Sequence, residues 1–331
     1  MTPPAQPNSM PDWPIGQVGA CLFEPMTGVT PHAPDAGQDS LPGPLAALAK
    51  QGRLYAVLDV ASMTGLIEIL DAFGMEYRRI HSPDSPKDWQ SLGPVVVRMQ
   101  VQSGLNRVLF TDKGPKAEGC FWRRSPAGLL RVDAEIDTVA AHLMRYTRLT
   151  NAEGDGFYVR FWERHVLPGL AQDGAPLAES LLEEIGGQPV HWLLLVPAAE
   201  SAMQVSRVPE RIGRPVAGPR LSAEDRASME RSSELRKLRE EIGLAVEDLP
   251  PQVAEAYGAD PRLADLWRQL RPQGYYEPQQ RVRALALYLR AVVLGQNGPA
   301  WATLTQEGTA AEDRLARLNS AVKSLEAARQ G

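Results

Sequence analysis

The sequence predicts an α/β fold, a mixed sheet covered by helices, followed by an all-helical C-terminal lobe. Three observations lead there. Apolar runs of strand length alternate with stretches of helical periodicity from Arg53 to Val196. The alternation stops after Pro197, where Pro, Gly and Arg become frequent. From Ser222 onward each periodic segment is helical. The expected divisions are therefore a Pro-rich tail or strap over 1–44, an α/β domain over 45–197, a linker over 198–221 and a helical lobe over 222–331.

Residues 1–44 hold ten of the 28 prolines, too many to sustain a helix. Trp13, Ile15, Leu22, Phe23 and Met26 are more apolar than a linker requires, so part of this segment is expected to lie across the folded body. The fold proper begins at Arg53. Leu54 to Val60 (LYAVLDV) is a nearly continuous apolar run, the mark of a strand buried on both faces. Ser62 is placed to cap a helix carrying Met63, Leu66, Ile67, Leu70 and Phe73, which Gly74 closes. Glu76–Ile80 and Val95–Met99 read as strands, as does Gly119–Arg124. Asp133 is expected to cap an amphipathic helix with Ile136, Val139, Ala140, Leu143 and Met144 inward.

The stretch Gly156–Leu170 (GFYVRFWERHVLPGL) organises this half. As a strand over 157–162 it turns Phe157, Val159 and Phe161 to the core and Tyr158, Arg160 and Trp162 to the other face. Pro168-Gly169 marks a break. A short helix over 177–185 and an apolar strand over 191–196 follow. In the lobe, helices are expected over 222–242, around Leu263–Leu270, around Val282–Val293 and over 312–328. The apolar stripes of the first and last of these are expected to pack on each other, with partner-binding faces as the alternative.

A hydrophobic fraction of 44% is ordinary for a globular protein. A net charge of −5 argues against a phosphate-backbone partner. The two cysteines, Cys21 and Cys120, do not make a disulfide framework and fit a reducing compartment. The N-terminus lacks the basic start and apolar run of a signal peptide, and Ala284–Leu294 is too short to span a bilayer. A cytoplasmic protein is expected, with neither nucleic acid nor membrane as partner.

Nucleotide-binding, nucleophile-elbow and zinc motifs are absent from the sequence. Asn151, Glu153 and Asp155 superficially suggest a calcium loop, but no acid stands at the closing position and a hairpin turn is expected. The five histidines have no second ligand type at metal spacing. His142 is read as a helix-surface or satisfied core residue. Glu163 and His165 form an acid–base couple by spacing, or else local solvated charge. Cys120, beside Phe121 and Trp122, reads as inert core. Arg160 between two aromatics either pairs with an internal acid or anchors a bound polypeptide.

Taken in order, Leu54–Asp59 (LYAVLD), Tyr77-Arg78-Arg79, Gly93-Pro94-Val95-Val96, the helix containing Leu143, Gly156–Trp162 (GFYVRFW) and Val166-Leu167 resemble the DUF4123 family, adaptor chaperones of the bacterial type VI secretion system. The family's signature is similar to FRFYDPRVL. Here Val159–Leu167 keeps the Arg, the aromatics and the closing Val-Leu, and carries Glu163-Arg164 in place of Asp-Pro. The resemblance covers about residues 53–196. It implies a non-enzymatic carrier without a cofactor. Such a carrier binds a toxic effector, often one with a PAAR or Rhs module, keeps it soluble and helps mount it on the VgrG spike. Tyr158, Arg160 and Trp162 are then expected to contribute to a polypeptide-binding cleft, with Asp59 as the acidic partner of Arg160. The helical lobe is expected to select the effector. The competing classes are a small-molecule hydrolase using the Glu163/His165 corner and a structural scaffold of the secretion apparatus.

Overall fold

The computed structural model describes residues 14–34, 36–81, 91–112, 121–124, 127–196, 201–213, 218–247 and 261–330. The chain divides into two compact units, Asn8–Ser232 and Ser233–Gly331. The N-terminal unit opens with β1 (Gly16–Val18), β2 (Cys21–Thr27) and α1 (Gly43–Lys50). Then come β3 (Leu54–Leu58), α2 (Leu66–Ala72), β4 (Tyr77–Arg79), β5 (Val95–Arg98), α3 (Gly104–Phe110), α4 (Phe121–Arg124) and β6 (Ala127–Arg131). Its second half runs α5 (Ile136–Thr147), β7 (Arg148–Thr150), β8 (Gly156–Tyr158), α6 (Val166–Gln172), α7 (Pro176–Ser180), β9 (His191–Val196) and β10 (Ser201–Arg207). Among the described residues the strands form an eight-stranded sheet, ordered β1-β2-β10-β9-β6-β3-β5-β4, and a separate β7-β8 ribbon.

The α/β class and the helical C-terminal region are as the sequence predicts, but the ladders of the sheet are antiparallel rather than mixed. The reason lies in the crossovers. The helical connection from β3 to β4 joins two strands running the same way, and β5 enters between them in the opposite sense. The connection from β5 to β6 likewise spans β3. An alternation of strands and helices thus produces no parallel neighbours.

Both faces of the sheet are covered, which is why its central strands read as continuous apolar runs. In β3, Tyr55 and Val57 enter one core with α5, α6 and α7, whereas Leu54, Ala56 and Leu58 enter the other with α1, α2 and α3. β9 divides in the same way, Trp192 and Leu194 against Leu193 and Leu195. Gly128 of β6 is required small, because a Cβ there would meet Trp192 Cζ3 at 2.8 Å and the Trp162 backbone oxygen at 3.0 Å.

Four segments differ from expectation. Ser201–Arg207, assigned to a linker, is β10 and pairs along its length with both β2 and β9. Ser201, Ser206 and Arg207 interrupt its apolar pattern, and Arg207 is buried only because Glu179 and Glu184 meet its guanidinium, each at 3.0 Å. Phe121–Arg124 is helical, not a strand; Gly119 and Cys120 lie outside the described residues. The α5 N-cap is Glu135, while Asp133 pairs with Arg53 at 2.6 Å. Ser62 sits in a short 3-10 turn ahead of α2, which Gly65 opens with φ +73°.

The strap is real for its described part: β1 and β2 close one edge of the sheet. The two-residue turn at Gly19-Ala20 pairs Val18 with Cys21, so the odd residues of β2 direct their backbone groups away from β10. Val208 N–H donating to Ala20 O at 3.0 Å confirms that parity. Pro25 is odd, and β1 reaches only to Phe23. Its missing N–H therefore falls on the outer side, where it costs no ladder bond and withholds a donor from any added strand.

The C-terminal unit takes up most of α8 (Ala223–Glu247), then α9 (Pro261–Leu270), α10 (Pro278–Val293), α11 (Asn297–Leu304) and α12 (Ala311–Gln330). Leu238 of α8 and Leu315, Leu318 and Val322 of α12 share one core with Trp267, Leu285 and Leu289. These residues are buried within the unit, but among the described residues α12 packs chiefly on α10 and α11 rather than on α8, Met229 of the first stripe packs on the α/β core, and Leu235 and Leu325 stay exposed.

His142 is buried on α5, its ring 5.2 Å from that of Tyr146. Burial, reinforced by Arg145, pushes its imidazole down to about 4. The folded protein keeps it neutral, whereas the unfolded chain takes up a proton below about 6.5. This contribution to stability is complete above about pH 6.5 and is lost as the pH falls toward 4. The melting temperature is expected to be lower at about pH 5 than at about pH 7.5, with His142→Leu flattening that difference. An undiminished difference in the variant contradicts the assignment.

Candidate functional site

Asp59 follows the last residue of β3, at the end of the most buried strand of the sheet. It caps the 3-10 turn Val60–Ser62: its Oδ1 accepts from Ala61 N at 3.1 Å, and its Oδ2 accepts from Ser62 Oγ at 2.8 Å. The side chain is only 5% exposed. A carboxylate this buried needs a cation, and Arg160 supplies one through Nη2. The predicted pair with an internal acid therefore exists.

Arg160 is not on a strand. The β7-β8 ribbon ends at Tyr158, and Val159 N–H still reaches Thr147 O at 3.0 Å. Two successive turns then take the chain around, with Glu163 N–H donating to Arg160 O at 3.0 Å and Val166 N–H to Glu163 O at 2.9 Å. The alternation expected over 157–162 fails at this corner. Val159 and Phe161 are core, as expected, but Trp162 is core as well, 2% exposed, its ring 5.1 Å from Phe161 and 5.8 Å from Tyr158. Among the described residues its indole N–H meets no acceptor. Trp162 therefore supports the corner from beneath and does not line a surface.

Beyond the corner, Pro168-Gly169 does not break the chain but lies within α6. Pro168 occupies the first turn, where an N–H has no helical partner to lose. Gly169 admits close contact with α8: a Cβ there would stand 1.8 Å from Ser232 Oγ. Asn151–Asp155 makes the expected hairpin turn, with Asp155 N–H donating to Asn151 Oδ1 at 2.7 Å.

The exposed part of the site consists of Tyr158, 37% exposed, and Arg160, whose side chain is 45% exposed. Burial, with the Asp59 carboxylate adding to it, pushes the Tyr158 phenol up to about 12, so it stays neutral. Arg160 Nε holds Glu163 Oε1 at 2.8 Å, and Glu163 Oε2 lies 3.2 Å from His165 Nε2. The chain of contacts Asp59–Arg160–Glu163–His165 is thus continuous. The contribution of Glu163 to it was legible only as a possible acid–base partner, because its bond to Arg160 depends on the turn.

A groove of about 190 Å³ lies beside β2, β9 and β10, with Leu22, Glu24, Glu184, His191, Arg207 and Ile212 among its walls. Four of these six residues come from segments read as strap or linker, so no sequence signal pointed to it. Cys21 is buried nearby in β2, and burial, with Glu179 adding to it, pushes its thiol up to about 12, which leaves it unreactive. Among the described residues no group of three His, Cys, Asp or Glu is placed to hold a metal ion, and no helix is long and apolar enough to cross a membrane.

The family model for a domain of unknown function, DUF4123, matches residues 54–179. No curated protein and no solved structure matches the chain. The matched segment holds β3 to β6 and the whole Asp59–Arg160–Glu163–His165 corner, and the remaining four strands of the sheet come from outside it. Residues 54–179 belong to the DUF4123 family.

Proposed function

We propose that this protein is a non-enzymatic carrier that binds a type VI secretion effector, keeps it soluble and helps load it on the VgrG/PAAR spike. The observation that carries this reading is the match of residues 54–179 to the DUF4123 family model, taken with the resemblance of the motifs from Leu54 to Leu167 to that family's secretion adaptors. The corner is compatible with the role. An aromatic and a half-exposed guanidinium stand side by side on a rigid support, the side-chain composition that dominates binding energy at protein interfaces. The helical unit is assigned the choice of effector.

The test is co-purification of the tagged full chain from its native bacterium, with the bound chains identified by mass spectrometry. A large effector polypeptide, with or without a spike protein, is the expected result. A partnerless protein overturns the reading. The hydrolase reading keeps one favourable observation, the Glu163–His165 contact. Yet Arg160 holds that carboxylate from the other side, the arrangement of a fixed charge more than of a base ready to take a proton. Turnover abolished by His165→Ala would favour the enzyme.

A further inference from the structure

We propose that the outward edge of Arg160 is a docking point for main-chain carbonyls of an uncharged stretch of the partner polypeptide, and that it selects against acidic side chains. This rests on the carrier reading above and adds the chemistry of what is carried.

The Arg160 guanidinium is held from two sides. Its Nη2 is fixed by Asp59 and its Nε by Glu163, at 2.8 Å for the latter. Asp59 is itself fixed by Ala61 N and Ser62 Oγ, and Glu163 by the turn that closes on Arg160 O. A long side chain normally loses much rotamer freedom on binding, and here that loss is already incurred in the folded protein. Even so, 45% of the side chain remains exposed, and the contacts that hold it run from Nη2 to Asp59 and from Nε to Glu163. A planar fork of donors is therefore presented outward in one orientation.

Charge decides what it presents to. Two carboxylates contact one guanidinium, so the local balance is already on the negative side. An arriving carboxylate gains the Arg160 donors but stands close to Asp59 and Glu163, and like charges at such range cancel much of the attraction. A neutral carbonyl accepts the same hydrogen bonds without that opposition. The neighbouring Tyr158 ring, neutral and partly exposed, offers apolar contact to the side chain beside the carbonyl. The site thus reads an exposed backbone rather than a charged motif. That suits a partner held in an incompletely folded state, whose main-chain groups are not yet paired.

The experiment uses the full chain with ¹⁵N-labelled arginine, the Arg160 Nε signal being assigned from Arg160→Lys. Two capped peptides of equal length serve as probes, one built from Ala, Ser, Thr and Gln and the other with Glu at alternate positions. The neutral peptide is expected to shift the Arg160 signal saturably and with little dependence on salt, and the acidic one to bind about tenfold more weakly. Glu163→Gln removes one of the opposing carboxylates and is expected to narrow that difference. Absence of a saturable shift with the neutral peptide, or tighter binding of the acidic one, overturns the inference. So does an unchanged preference in Glu163→Gln. If Arg160→Lys still captures the native partner while the neutral peptide leaves Arg160 unmoved, this inference fails and the carrier reading stands. If no native partner exists, the carrier reading itself fails.

Discussion

Replacing Arg281 with alanine is expected to destabilise the C-terminal helical unit by about 3–5 kcal/mol, the range found when one partner of a buried ion pair is removed. Arg281 and Glu241 are both nearly inaccessible, joined at 2.7 Å through each carboxylate oxygen. Trp267 Nε1 donates to the same carboxylate at 2.6 Å, and the guanidinium lies 5.3 Å from the Trp267 ring centre. Arg281 Nη1 also donates to Tyr275 O and Tyr276 O, at 3.2 and 2.6 Å. Alanine leaves a carboxylate and two carbonyls without this cation, in a unit whose three connected helices α8, α9 and α10 meet at this point. Replacing the pair together, Arg281→Met with Glu241→Leu, is expected to cost much less, because no buried charge remains. Urea unfolding followed by helical circular dichroism checks both. Equal loss in the single and double variants contradicts the account.

The second large effect concerns where the α/β unit ends. A chain cut after Leu221 is expected to be less stable by about 3 kcal/mol or more than one cut after Ser232. The first turns of α8 belong to the α/β unit. Ser222 and Asp225 form a reciprocal capping box, with Ser222 N–H donating to Asp225 Oδ2 at 2.9 Å and Asp225 N–H to Ser222 Oγ at 3.0 Å. Asp225 is fully buried because its Oδ1 also accepts from Leu177 N at 2.8 Å, capping α7 from a distance. Met229 packs on the core, Arg226 lies over Phe157, and Arg231 pairs with Asp173 at 2.8 Å. Removal leaves a buried N–H unpaired and uncovers apolar surface around Gly169. Equal melting temperatures for the two truncations contradict this boundary.

The parts of this molecule that were legible in the sequence are those where pattern and burial agree. β3, β9, α5 and the helices α8, α9, α10 and α12 carry enough apolar residues at one period to identify themselves, whereas α11 was not anticipated. β10 escaped because buried Ser201, Ser206 and Arg207 look like surface residues until Glu179 and Glu184 are seen to neutralise the arginine. The helix starting at Ser222 was legible, but its capping box with Asp225 was not read, and the second duty of that aspartate toward Leu177 is a contact across 48 positions. At the corner, Asp59 and Arg160 were paired correctly across 101 positions. Trp162 was misplaced, because strand alternation was carried past Tyr158 into a turn that no residue type there forbids or demands.

The central claim is that the Tyr158–Arg160 corner holds a polypeptide partner. The most direct measurement is light scattering of the chain co-purified with that partner, wild type beside Tyr158→Ala. Tyr158 is partly exposed, and Asp59 and Arg160 are held by Ala61, Ser62 and Glu163, so the variant is expected to keep that pair and to melt close to the wild type. The account predicts a stoichiometric complex for the wild type and its loss in Tyr158→Ala. A complex of undiminished mass in the variant would place the partner elsewhere and contradict the claim.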